Sequence, residues 1–133
     1  MGRTVLVIDS SDFVHGVVGR ALMENGCRVV AASKMKQAWL ALETDTPHLI
    51  VLEIPAQPSE VVKFLGLLRT LPDCQHVPVI LLADQAQLQL ANKLNASEVI
   101  LRDENLEVAL IEAAKKLFTI NEQVEESPRS MLF

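Results

Sequence analysis

The sequence predicts an α/β domain: a doubly wound, five-stranded parallel sheet with helices on both faces. Three observations carry this. Five short apolar runs alternate with five helical patterns in strict order, so a β–α unit is repeated five times. The runs are continuously apolar rather than alternating with polar residues, as expected of strands covered on both sides. The 133 residues, half of them hydrophobic, suit one domain with a substantial core.

The first strand is Thr4 to Ile8 (TVLVI). Ser10 or Ser11 caps the helix that follows, whose inward face is read as Phe13, Val14, Val17, Val18, Ala21 and Leu22, and Asn25-Gly26 ends it. Arg28 to Ala32 (RVVAA) is the second strand. Met35 to Glu43, with Ala38, Trp39, Ala41 and Leu42, is the second helix. The third strand, Leu49 to Glu53, cannot run on past Pro55 and Pro58. Ser59 caps a third helix with Glu60 in its first turn and Val61, Val62, Phe64, Leu65, Leu67 and Leu68 as its apolar residues; Pro72 follows its end. Val77 to Ala83 (VPVILLA) is the fourth strand and Gln85 to Leu94 a polar fourth helix. Glu98 to Leu101 (EVIL) is the fifth strand. Asn105 to Phe118 is the last helix, striped with Leu106, Ala109, Leu110, Ala113 and Leu117. Residues 1–119 are read as the domain. Residues 120–133 are read as a tail or linker, whose composition favours disorder until Met131, Leu132 and Phe133.

A net charge of −5 argues against nucleic acid or an anionic membrane as the main partner, since both need a basic surface. No window approaches the roughly 18 uninterrupted apolar residues of a membrane span. The opening stretch MGRTVLVIDSSD meets an acid at Asp9, without the apolar core and cleavage site of a signal peptide. Leu6 stands where an N-myristoylation signal has Ser or Thr. The expected location is the cytoplasm. Cys27 and Cys74 have neither CxxC spacing nor a nearby histidine pair, so two reduced thiols are expected rather than zinc or dithiol chemistry. His15, His48 and His76 fall on a helix, a strand start and a loop and are read as unrelated.

In open parallel sheets the site lies beyond the carboxyl ends of the strands. That rule brings Asp9-Ser10, Glu53, Ala83-Asp84 and Arg102-Asp103 together. Two carboxylates, Asp9 and Glu53, repel one another and demand a cation. The cation is either a hard metal such as Mg²⁺ or Arg102, whose guanidinium presents a fixed fork of donors.

Nearly the whole chain, Arg3 to Phe118, resembles the CheY-like receiver domain of bacterial two-component response regulators. The resemblance rests on VLVID at the first strand, PHLIVLE at the third, PVILLAD at the fourth and NASEVILRD around the fifth, in that order and spacing. It implies a flavodoxin-like fold and a signalling role. In that family an acidic pair after the first strand binds Mg²⁺, and an aspartate after the third strand accepts a phosphoryl group from a histidine kinase. A Thr or Ser after the fourth strand and a Lys after the fifth grip the phosphate. Carried over residue by residue, the acidic pair becomes Asp9 and Ser10, the acceptor Glu53, the hydroxyl position Ala83 and the lysine position Arg102. The aromatic switch position of the fifth strand becomes Val99. Only Asp9 matches the pattern, which identifies the chain as a degenerate, pseudo-receiver variant.

Physical chemistry points the same way. Glu53 is one methylene longer than aspartate, which moves the carboxylate by about 1.5 Å. A misplacement of about an ångström costs in-line transfer roughly a hundredfold in rate. Ser10 brings no charge to a metal, and Ala83 can donate no hydrogen bond. The expectation is therefore no catalytic residue and no cofactor, with Mg²⁺ disfavoured and Asp9 its only ligand if one binds. Arg102 is expected to hold Asp9 and Glu53 as a permanent ion pair.

The partner implied is a protein of a signalling pathway, with a homodimer as a further assembly and neither nucleic acid nor membrane involved. Leu88, Leu90 and Leu94 lie on the helix where receivers meet partners; core packing is the default for all three. Glu53 reads either as a built-in phosphomimic or as a degenerate site. The rival functions are a working acceptor using Glu53 with Mg²⁺ and a purely structural dimerisation module. A small-molecule-binding flavodoxin-like domain is disfavoured, because no glycine-rich phosphate loop follows the first strand.

Overall fold

A computed structural model describes residues 2–131 of the chain, and the side chains as far as residue 120. The five strands are β1 (Arg3–Ile8), β2 (Cys27–Ala32), β3 (Leu49–Glu53), β4 (Val79–Ala83) and β5 (Glu98–Leu101). The helices are α1 (Asp12–Glu24), α2 (Met35–Thr44), α3 (Ser59–Leu68), α4 (Leu88–Lys93) and α5 (Leu106–Met131). All strand pairs are parallel, in the order β2-β1-β3-β4-β5. The chain reverses its winding direction between β1 and β3, and a crevice opens there.

Side chains alternate across the sheet and build two cores. Leu6, Ile8, Ile50, Leu52 and Leu81 pack with Ala38 of α2, Phe64 of α3 and Ala91 of α4. Val5, Val7, Val51, Ile80 and Leu82 pack with Val14 and Leu22 of α1 and Leu110 and Leu117 of α5. Both faces of β1, β3 and β4 are buried, which is why those strands read as unbroken apolar runs.

Several local expectations are corrected. Phe13 is not on the inward face of α1 but 77% exposed. The buried stripe is Val14, Val18, Ala21 and Leu22, and a residue one step before Val14 sits about 100° away from it. On α3, Val61, Phe64 and Leu68 are buried by the same rule, while Val62 and Leu67 face out. Ser59 is the first helical residue of α3 rather than its cap; Pro58 occupies that position without a side-chain hydrogen bond. β4 begins at Val79, two residues later than expected, since Pro78 has no N–H for a ladder. The expected fourth helix divides into a 3-10 turn, Gln85–Gln87, and the short α4.

The largest correction concerns the last helix, which does not end at Phe118. α5 continues to Met131, through most of the segment whose composition suggested disorder. Leu132 and Phe133 lie outside the described residues.

Candidate functional site: an ion-paired pocket at the strand ends

The crevice is assembled by backbone hydrogen bonds just beyond the last ladder rungs. The Asp9 N–H donates to the Ala32 carbonyl at 3.1 Å, continuing β1 alongside β2. The Ile54 N–H reaches the Leu82 carbonyl at 3.0 Å, and the Arg102 N–H reaches the Ala83 carbonyl at 2.9 Å. Since Ile8 pairs with Leu52, Asp9 and Glu53 leave the sheet as neighbours. Asp9, Ser10, Glu53, Ala83 and Arg102 therefore converge as the strand-end rule required.

Arg102 joins the two acids. Its Nη1 donates to Glu53 Oε2 at 2.7 Å, a short charge-assisted bond. Its Nη2 stands 3.6 Å from Asp9 Oδ1, so that contact is electrostatic. Ser10 completes the cradle of Glu53: its N–H donates to Oε1 at 2.9 Å and its hydroxyl to Oε2 at 3.2 Å. Both oxygens of Glu53 are thus engaged. The extra methylene of glutamate places the carboxylate within reach of Arg102 and Ser10 together.

Asp9 is 1% exposed. Its Oδ1 accepts from the Ser11 N–H at 2.9 Å, while Oδ2 has no hydrogen-bond partner among the described residues. Burial pushes the Asp9 carboxyl above its ordinary value, and the Glu53 charge adds to this. The Ser11 N–H, Arg102 and His15 oppose the rise without cancelling it. Glu53 goes the other way. Burial pushes it up, but the bonds from Arg102 and from both donors of Ser10 outweigh that and hold it below the usual range.

The pocket beside these groups encloses about 380 Å³ and includes Ser33, Lys34, Lys36 and Glu60 on its walls. Asp9 and Glu53 are the residues a metal would use. Mg²⁺ demands near-octahedral oxygen ligation, usually with one or two carboxylates. Here Ser10 is neutral, both oxygens of Glu53 already accept hydrogen bonds, and the Arg102 guanidinium contacts both acids. Ala83 is fully buried and presents a methyl group. Val99 is half-buried and lines, with Leu88, a separate groove of about 590 Å³ between α4, β5 and α5. Leu88, Leu90 and Leu94 are half-buried against the core on the α2–α3–α4 side.

Two participants were missed in the sequence. Gln87 closes a reciprocal capping box with Asp84, and its Nε2 also donates to the Ile54 carbonyl at 2.8 Å and the Pro55 carbonyl at 3.1 Å. The loop after β4 is thereby tied to the loop carrying Glu53. The spacing Asp84-Gln85-Ala86-Gln87 was the available signal, a capping box directly after an apolar strand. His15 lies one turn into α1, with Nε2 2.6 Å from the Asp9 carbonyl. A carbonyl only accepts, so Nε2 carries the proton.

No family model matches the chain, and no curated protein matches it by sequence. Solved structures do match it. A response regulator from Thermotoga maritima is similar with a TM-score of 0.76 and 23% identity, over 90% of this chain and 99% of that one. The chemotaxis response regulator CheY4 of Vibrio cholerae gives 0.75 and 16%, over 88% and 99%. NtrX from Brucella abortus gives 0.76 and 20%, over 98% of this chain and 30% of that one. These likenesses show that the chain has the fold of a response-regulator receiver domain.

Proposed function

We propose that this chain is a receiver-like signalling module of a bacterial two-component type pathway, one that works by protein–protein contact without being phosphorylated. The observation that carries this reading is the Arg102–Glu53 bond at 2.7 Å, at the place where a receiver would put phosphate and metal. A phosphoryl acceptor needs a free, correctly placed carboxylate oxygen and a cation to neutralise charge on the incoming group. Both oxygens of Glu53 already accept hydrogen bonds from Ser10 and Arg102, and its cation is built in. Nothing at Ala83 can report a phosphate by hydrogen bonding, and Val99 offers no aromatic ring to move. On this reading the module is not an enzyme, takes no metal cofactor, and presents one fixed surface to a protein partner.

The test is intact-mass measurement after incubation with Mg²⁺ and acetyl phosphate, a small phosphodonor. The wild-type chain is expected to gain no phosphoryl adduct. An adduct that disappears in Glu53→Gln would overturn the reading and establish Glu53 as a working acceptor.

A further inference from the structure

Between α3 and α4, on the face of the sheet away from α1 and α5, lies a trough of about 300 Å³. Val62, Leu65 and Leu94 supply its apolar surface, and Val62 is left 49% exposed. Arg69 and Lys93 stand beside them, and no carboxylate lines the trough. Neither cation has an ion pair among the described residues, although the chain carries a net charge of −5. Arg69 is anchored: its Nη1 donates to the Cys74 carbonyl at 2.9 Å and to the Val77 carbonyl at 2.8 Å. Its Nε and Nη2 make no hydrogen bond among the described residues. Gly66, also on the trough, sits inside α3, where glycine costs helix stability relative to alanine. A Cβ there would meet nothing within 4 Å, so the domain's own packing does not call for a glycine. Its effect is to leave bare backbone that another chain can approach closely.

We infer that this trough receives an acidic segment of a partner protein, with an apolar side chain set between its carboxylates. The inference rests on the proposed function by protein contact and names where that contact falls. Charge complementarity selects the occupant: two cations without acids, on an otherwise acidic chain, attract carboxylates and repel bases. A guanidinium already fixed by backbone carbonyls loses little freedom when it pairs, and its remaining donors suit a carboxylate. The apolar surface favours a polypeptide over nucleic acid, because a phosphate backbone would leave Val62 and Leu94 without a partner. A second copy meeting the trough through its own equivalent face would set Arg69 and Lys93 against like charges. A volume at the small end for ligand pockets suits one docked side chain rather than an enclosed small molecule.

Fluorescence anisotropy of a labelled twelve-residue peptide built from Glu-Leu-Leu-Glu repeats, titrated with the full chain, tests this. Binding is expected with a Kd between about 10 μM and 1 mM, and the same peptide with lysine for glutamate should not bind. Lys93→Glu should weaken binding by at least about tenfold, and Gly66→Gln, which fills the trough without changing its charge, should also weaken it. Lys115→Glu makes the same charge change at an exposed site on α5, across the sheet, and should leave binding within about twofold. The amide spectrum checks that each variant is folded, and peptide-induced shifts should centre on Val62, Gly66, Lys93 and Asn95. No binding up to millimolar, or equal weakening by Lys115→Glu, would overturn the inference. So would equally tight binding of a single-stranded oligonucleotide, or concentration-dependent shifts at these residues without peptide, which would make the occupant a second copy. Failure here leaves the proposed function standing if acetyl phosphate gives no adduct; an adduct removes that function whatever the peptide does.

Discussion

Arg102 is the residue on which the pocket's electrostatics turn. It leaves β5 and reaches two carboxylates from two other strands, with side-chain exposures of 22% for itself, 15% for Glu53 and 0% for Asp9. Removing it strands two partly buried acids. Arg102→Ala is therefore expected to cost about 2–3 kcal/mol, read as a lower urea midpoint by the fluorescence of Trp39. The two acids should give opposite pH dependences. Glu53 sits below its ordinary value, so its contribution is present above the unfolded pKa of about 4.5 and is lost as pH falls through its folded value. Asp9 sits above its ordinary value of about 3.8, so the folded chain keeps that proton longer. Stability from this source declines as pH rises from there through the folded value. Asp9→Asn retains an acceptor for the Ser11 N–H and removes the buried charge. It should raise stability at pH 7 by about 1 kcal/mol and abolish the decline. A variant less stable than wild type at pH 7 would contradict this. These residues were legible in the sequence because strand ends announce themselves: an apolar run followed by Asp9, Glu53 or Arg102 specifies position and chemistry together.

Elements were legible to the degree that a stripe or run is long. β3 and β5 have the expected limits, and the strand-forming runs are all strands. Phe13 was misplaced because apolar character alone does not say which side of a helix faces the sheet. Gln87 was missed because its contribution depends on two carbonyls, Ile54 and Pro55, more than thirty residues distant. The continuation of α5 past Phe118 was missed because acids and a proline mask an apolar repeat as sparse as Ile120, Val124 and Met131. Gln87 carries a prediction at this scale. Gln87→Ala loses half of a capping box and two bonds between loops, so about 1–2 kcal/mol should be lost. Amide hydrogen exchange should quicken in the loop after Glu53 and in residues 84–88, while β1 and β3 stay protected. Unchanged exchange in both loops would show that the tie does not hold them.

At the scale of the molecule, the winding reversal between β1 and β3 creates the crevice and the two cores hold its walls. Receivers with this fold couple such a crevice to their outer surface through a phosphate, a hydroxyl and an aromatic ring. On the proposed reading Ala83 and Val99 stand at the hydroxyl and aromatic positions and Arg102 already holds Glu53, and Gln87 ties the β4 loop to the loop bearing Glu53. On that proposed reading the domain keeps one conformation and a permanently presented surface. The most direct test is the amide NMR spectrum recorded before and after addition of Mg²⁺ with beryllofluoride, which mimics an aspartyl phosphate. The account predicts superimposable spectra. Shifts clustered on Ser10, Glu53, Ala83 and Arg102, spreading to Val99, would contradict it and show a working switch.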